Sequence, residues 1–292
     1  MSTINIERHT IELSNEGKLL FPETKITKGN LITYYESLAP YMVPLITNHP
    51  IAMQRFPDGI THEGFYQKEI GEYFPDWVER KTITHTHSEH KTTYVVCNNT
   101  ATAVYLANQA VITLHHWLST IDDLVHPDRM IFDLDPLNVT WTELTKTALI
   151  LKKVLEEYKL KPFVMTTGSR GLHVTVPLKQ KLTFKKVRLF AQHIAQQVVE
   201  KHPALVTLEI RKEKRKNKIF IDTLRNQWAQ HAVVPYSVRA IEGAPVATPL
   251  FWHELENKKL HAQYFTITNV LKKVIRDGNP WQNFNKNARA LD

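Results

Sequence analysis

The segment 129–135, Arg-Met-Ile-Phe-Asp-Leu-Asp, constrains this chain more than any other. Successive side chains of an extended segment point to opposite faces, so Met130, Phe132 and Leu134 share one face while Asp133 and Asp135 share the other. The pattern predicts a strand with an apolar face to bury and an acidic face to leave open. At a rise of about 3.3 Å per residue, the two carboxylates stand about 6–7 Å apart at Cα. Pro136 ends the strand and leaves Asp135 at its edge.

Other apolar runs predict strands over 162–167, 172–176 and 218–223. Helices fall between them. Thr140 with Glu143 forms a capping box ahead of Leu144, Ala148, Leu151, Leu155 and Tyr158 at helical spacing. Another helix starts at Thr183 and places Val187, Phe190, Ala191, Ile194 and Val198 on one side. Upstream, Thr27 caps a helix with Leu31, Tyr34, Tyr35 and Leu38, expected to end near Pro40. The order strand, helix, strand, tight turn, strand, helix, strand predicts a ferredoxin-like split unit within a mixed α/β chain. In that arrangement the last strand lies beside the first.

That pairing would bring a third acid to the first two, because Asp222 ends the apolar run Ile219-Phe220-Ile221. Three hard carboxylates suit Mg²⁺ or Mn²⁺ rather than zinc. Two such ions, about 3.5–4 Å apart, are what in-line phosphoryl transfer requires. An isolated Asp-x-Asp is usually no more than a pair of acids on a wet strand face, so the third acid and its basic surroundings carry the reading. The turn Thr167-Gly168-Ser169-Arg170-Gly171-Leu172-His173 can bring hydroxyls, amides and a guanidinium to an anion, although ordinary hairpins contain glycine too. The run 211–218, RKEKRKNK, holds six cations and one acid just before Asp222. Arg225 and Arg239 can line the same cleft. Neither a Walker loop nor a Rossmann glycine triplet is present.

Composition fits a soluble globular protein. In 292 residues and 33.9 kDa, 42% apolar and 23% charged content excludes disordered and fibrous chains. A lone cysteine, Cys97, excludes an intramolecular disulfide framework and a cysteine-rich zinc site, and fits a reducing compartment. Glu7, Glu12 and Glu16 interrupt the stretch where an export signal would carry its apolar core. The uncharged run 92–121 includes Asn98, Asn99, Asn108 and Gln109, a sequence costly in lipid. The expectation is a cytoplasmic protein without membrane contact. Lys plus Arg number 37 against 29 Asp plus Glu, a net charge of +8 that attracts polyanions.

Taken in order, Asp133-Leu134-Asp135, the 167–173 turn, Ile221-Asp222-Thr223-Leu224-Arg225-Asn226 and Pro235-Tyr236-Ser237-Val238-Arg239 resemble the polymerase domain of bacterial ligase D, an archaeo-eukaryotic primase. Leu13-Ser14-Asn15 with Lys18, Phe21-Pro22, Thr27-Lys28-Gly29, Arg55-Phe56-Pro57-Asp58-Gly59 and Gly64-Phe65-Tyr66-Gln67-Lys68 extend the likeness from about residue 9 to 275. The resemblance implies one compact unit over 1–292. Residues to about 120 would bind DNA and its 5′-phosphate, and residues from about 121 would form a primase-type catalytic sheet. It also implies template-directed addition of nucleotides, ribonucleotides by preference, in non-homologous end joining.

By the same resemblance, Asp133, Asp135 and Asp222 hold two Mn²⁺ or Mg²⁺ ions. His115, Thr167, Ser169, Arg170, His173, Arg215, Arg225 and Arg239 surround the incoming nucleotide, with His115 a candidate to sense its 2′-hydroxyl. Asn15, Lys18 and Lys28 grip the 5′-phosphate of a gap, a role suited to two ammonium groups and an amide. Arg55, Phe65, Tyr66 and Lys68 meet template DNA, although one of the two rings could equally pack in the core. Implied partners are gapped duplex ends, NTPs or dNTPs, a Ku-type protein and a separate ligase, since no nucleophilic Lys-x-Asp-Gly occurs. Arg170 stands where the family often has Lys, Thr167 where Ser is frequent, and Gln54 where Lys is common. Two other functions stay open: a primase that starts chains de novo, and a DNA-end scaffold with a vestigial site. His85, His87 and His90 with Glu89 could mark zinc but lack a fourth-ligand pattern; an exposed polar turn accounts for them better.

Overall fold

Residues 2–84 and 90–291 are described in a computed structural model, so His85, His87 and Glu89 lie outside the described residues. In the first part of the chain, β1 (Ser2–Ile6) pairs with β2 (His9–Leu13), and β3 (Leu19–Phe21) with β4 (Ile26–Thr27). Helix α1 (Lys28–Met42), β5 (Pro50–Arg55), β6 (Phe65–Gln67), β7 (Arg80–Thr84), β8 (Lys91–Val96), α2 (Thr100–Asn108) and β9 (Val111–Trp117) follow. The second part holds β10 (Arg129–Asp135), α3 (Trp141–Glu157), β11 (Phe163–Thr166), β12 (Leu172–Pro177) and α4 (Phe184–Lys201). It closes with β13 (Val206–Thr207), β14 (Ile219–Asp222), β15 (His231–Val233), β16 (Pro249–Leu250) and α5 (Val270–Asp277).

The capping residues act as their chemistry predicts. Thr27 accepts from the Asn30 amide and Thr140 from the Glu143 amide, each within a reciprocal capping box. Helix α1 ends near Pro40 as expected, running two residues past it to Met42. Leu38, Ala39 and Met42 are fully buried, and that burial outweighs the hydrogen bond Pro40 cannot donate.

The second part builds a sheet in the order β13-β14-β10-β12-β11-β16. Its four inner strands, β14-β10-β12-β11, are all antiparallel and connect as the expected split unit requires. Phe132 and Leu134 are buried on the apolar face of β10, which leaves Asp133 and Asp135 on the other. The first part builds a sheet in the order β15-β9-β5-β8-β7, with β6 paired to β5.

Strand β15 comes from the second part of the chain but completes the first sheet, pairing Val233 with His115. Helix α1 adds further ties. Tyr34 Oη donates to the Tyr236 carbonyl and Tyr35 Oη to the Ile112 carbonyl, both at 2.7 Å. The Val238 amide in turn donates to Tyr35 Oη at 3.1 Å. A continuous buried core runs through both sheets. The open acidic face of β10 therefore looks onto a cleft floored by β9 and β15.

Candidate active site

Register assembles the acids. Asp133 of β10 sits directly opposite Asp222 of β14 on one side and His173 of β12 on the other. Residues opposed in this way carry Cβ atoms about 4.5–5.5 Å apart and project to the same face. Asp135, two residues on, faces Phe220. The sheet thus presents a row, His173-Asp133-Asp222, with Asp135 one step towards its edge.

Basic side chains close around this row. His173 Nε2 lies 3.5 Å from Asp133 Oδ1, and Arg225 Nε lies 3.7 Å from Asp133 Oδ2. Arg215 Nη1 donates to Asp135 Oδ2 at 2.8 Å, and Arg170 Nη2 stands 4.0 Å from Asp135 Oδ1. Burial alone would raise the Asp133 carboxyl, but His173, Arg225 and Arg239 outweigh it and hold the group below the usual carboxylate range. Asp222 goes the other way. Burial lifts its carboxyl and the neighbouring Asp133 charge adds to the rise, against a 2.7 Å hydrogen bond accepted from the Leu224 amide.

The 167–171 turn rests on two glycines. Gly168 adopts φ +64°, and a Cβ at Gly171 would lie 2.2 Å from the Leu134 carbonyl oxygen. The amides of Ser169 and Gly171 are turned inward onto Thr167 Oγ1, so they are not free to cradle an anion. What the turn offers the cleft is its side chains. Arg239 is fixed behind it by a 2.8 Å hydrogen bond from Nη1 to the Thr167 carbonyl.

The cleft measures about 640 Å³ and is lined by Asp133, Asp135 and Asp222. All eight residues expected around the nucleotide also line it, from His115 on β9 to Arg239, as do Tyr66 and Lys68 of the template group. Besides the small or aliphatic Ala52, Gly171, Ala232 and Val233, three lining residues have no place in that expectation: Phe220, Gln230 and His231. Phe220 was open to inference, since alternation along β14 gives it the same face as Asp222. It carries the Arg215 guanidinium 4.2 Å above its ring. Gln230 and His231 fall between motifs, where nothing in the sequence marks them. Burial, followed by Lys68 and Arg225, pushes the His231 imidazole down to about 3. His115 is also held neutral, by burial and then by Arg239 and other cations around it, and its Nδ1 has no hydrogen-bond partner among the described residues.

Arg55, Phe65, Asn15, Lys18 and Lys28 do not line the cleft. Phe65 and Tyr66 are both exposed, so neither packs in the core. Arg55 is tied to the first sheet, donating to the Gln109 carbonyl and to Gln67 and Tyr73 side chains, with Phe65 against its guanidinium. Asn15, Lys18 and Lys28 gather where the loop after β2 meets the start of α1: the Lys28 amide donates to the Lys18 carbonyl and the Lys18 amide to the Asn15 carbonyl. Lys28 is buried, and its ammonium donates to Ser14 Oγ and the Asn108 carbonyl at 3.0 Å each. Burial, then the nearby Lys18 charge, lowers its pKa. Lys18 Nζ pairs with Asp58 Oδ1 at 2.6 Å.

The donor set fits a hard divalent cation, and the mutual repulsion of Asp133 and Asp222 is what such a cation relieves. Among the described residues, no three carboxylate, imidazole or thiol groups already converge as a ligand set. Asp135 is turned to Arg215 instead.

The LigD primase-polymerase domain family matches residues 27–281. Over 92% of its length the chain is 34% identical to the multifunctional non-homologous end joining protein LigD of Mycolicibacterium smegmatis, of which it spans 35%. It is 28% identical to the bifunctional LigD protein of Bacillus subtilis, over 96% of this chain and 45% of that one. It therefore spans less than half the length of these relatives. The polymerase domain of Mycobacterium tuberculosis ligase D, solved in complex with DNA, superposes with a TM-score of 0.90 at 29% identity, covering 95% of this chain and 99% of that one. An acid row on a split antiparallel sheet, a flanking arginine cluster and this likeness along nearly the whole chain lead to one conclusion: the chain belongs to the LigD primase-polymerase domain family, whose members are nucleotidyltransferases.

Proposed function

We propose that this chain adds nucleotides, ribonucleotides by preference, to DNA 3′ ends at gaps and breaks during end joining, directed by a template strand. The observation that carries the reading is the cross-strand row His173-Asp133-Asp222, set in one cleft with Arg170, Arg215, Arg225 and Arg239. Asp133 and Asp222 would hold the first of two Mg²⁺ or Mn²⁺ ions, and Asp135 would complete the set on exchanging Arg215 for metal. When bound, the metals lower the pKa of the primer 3′-hydroxyl and neutralise the triphosphate and leaving pyrophosphate.

The chain's own groups do the rest. Arg170 and Arg225 project into the cleft as charged forks for phosphate oxygens, and the freed Arg215 joins them. Arg239, fixed to the Thr167 carbonyl, keeps a charge beside the Ser169 and Arg170 side chains. His115 lines the cleft as a neutral ring, which supports its role in sugar choice. Exposed Phe65 and Tyr66 supply stacking surfaces for template bases beside Lys68. Asn15, Lys18 and Lys28 would take the 5′-phosphate of the downstream strand. A Ku-type protein and a ligase activity would complete the repair, in the nucleoid.

Gap filling tests this directly. The protein should extend a primer across a gap with a 5′-phosphate, faster with ribo- than with deoxynucleotides, given Mn²⁺ or Mg²⁺. Starting chains on a bare single-stranded template would favour a de novo primase. DNA binding with no nucleotide addition under either metal would sink the reading.

A further inference from the structure

The charge surplus of this chain is concentrated in one stretch. Residues 158–199 contain eight Lys and Arg and no Asp or Glu. Setting those eight aside leaves 29 basic residues against 29 acidic ones. Arg170 belongs to the cleft. Lys179, Lys181, Lys185, Lys186 and Arg188 follow β12 and open α4, and the four lysines are exposed. Arg289 joins them: its carbonyl accepts from the Lys179 amide at 2.9 Å. Among the described residues, none of these six side chains stands in an ion pair.

This arrangement does not serve folding. Lys185 and Lys186 occupy the first turn of α4, where the helix dipole favours acids, and no acid is present there. It does connect to the cleft. Arg188 Nη1 donates to Gln227 Oε1 at 3.2 Å, and Gln227 directly follows the turn Leu224–Asn226 that carries Arg225. From His173 to Lys179 the chain advances six residues, about 20 Å along the strand direction. Duplex DNA rises about 3.4 Å per base pair, so that span corresponds to about six base pairs.

We propose that Lys179, Lys181, Lys185, Lys186, Arg188 and Arg289 grip the phosphate backbone of duplex DNA upstream of the primer terminus. The inference rests on the polymerase reading, which supplies the primer end. Mobile lysines without base-stacking rings suit a duplex backbone rather than an unstacked strand. The exposed rings suited to stacking bases, Phe65 and Tyr66, lie on β6, with Tyr66 lining the cleft.

The test compares hairpin primer-templates with stems of about 5 and about 20 base pairs, the shorter ending before the patch. In the triple variant Lys181→Glu, Lys185→Glu, Lys186→Glu, affinity for the long stem should fall about 10- to 100-fold at low salt. The slope of log affinity against log salt should shrink by about 2–3, near one per lysine. Short-stem affinity and turnover at saturating DNA should not change. Equal losses on both stems, or none on either, would overturn the proposal, and the second result would point to an acidic protein partner. If the glutamate variant misfolds, the triple Lys→Gln variant should show the same stem dependence at about half the size. An unaltered protein that adds no nucleotide to either stem defeats the polymerase reading, whereas stem-dependent binding is judged separately.

Discussion

Arg215 Nη1 donates to Asp135 Oδ2 at 2.8 Å, and the Arg215 side chain is 5% exposed although it lies in a run of six cations. Its Nε and Nη2 donate to the Glu209 and Ile210 carbonyls, and its plane covers Phe220. One side chain therefore folds the basic loop and occupies a metal-binding candidate. Arg215→Ala should cost about 2–3 kcal/mol, because buried acceptors lose their donor. Arg211→Ala, Lys212→Ala and Lys214→Ala should each stay within about 0.5 kcal/mol. Urea denaturation separates the two cases, and an Arg215→Ala midpoint equal to the others would refute the anchoring role.

Removing the acids should separate chemistry from binding. Asp133→Ala and Asp222→Asn should each lower nucleotide addition at least about 10³-fold while gapped-DNA affinity stays within a few-fold. Chelation of divalent ions should act likewise. Asp222→Asn should also leave the urea midpoint at pH 7.5 equal or higher. Burial and Asp133 raise the folded pKa of Asp222, so the folded state favours its proton, and that contribution is lost as pH rises through the raised value. A catalytically active Asp222→Asn protein would remove Asp222 from the metal set.

The acidic row was legible from periodicity and element order, and the residues expected around it from the family resemblance. Alternation over 130–135 marks the acidic face, and the order of four strands and two helices is enough to bring Asp222 beside Asp133. Packing effects were not legible. By charge and periodicity all six cations of RKEKRKNK look alike, and the Phe220 ring with the Asp135, Glu209 and Ile210 oxygens singles out Arg215. Lys28 reads as a surface lysine, yet α1 begins against Asn108, which takes its ammonium indoors. The amides of the glycine turn face Thr167 because of backbone geometry that residue types do not reveal.

His231 sets an acid limit on stability. Burial, then Lys68 and Arg225, depresses its folded pKa to about 3, whereas an unfolded histidine titrates near 6.5. The stability gained by keeping it neutral is complete above pH 6.5 and is lost as pH falls from there towards 3. At pH 5 the expected loss from this ring is about 1–2 kcal/mol. His231→Gln should shrink the drop in urea midpoint between pH 7.5 and pH 5. An unchanged drop would show that His231 is protonated readily in the fold.

The proposed 5′-phosphate site should be limited by an internal competitor. Lys18 is paired with Asp58 at 2.6 Å, and Lys18 holds the exposed Asp58 carboxyl below its usual range. Two solvent-exposed partners at this distance attract each other weakly, so a dianionic phosphate can displace Asp58. Asp58→Asn would remove the competitor and keep the shape, and should tighten binding of 5′-phosphorylated gaps a few-fold without changing affinity for 5′-hydroxyl gaps. Lys18→Ala with Lys28→Ala should erase the difference between the two ends. Lys28→Ala should also cost about 1–2 kcal/mol of stability, since it leaves the Asn108 carbonyl unpaired, whereas Lys18→Ala should not. Competition binding with matched phosphorylated and hydroxyl gaps reads all three variants. Equal affinity of the unaltered protein for both ends would remove Asn15, Lys18 and Lys28 from the DNA-binding surface.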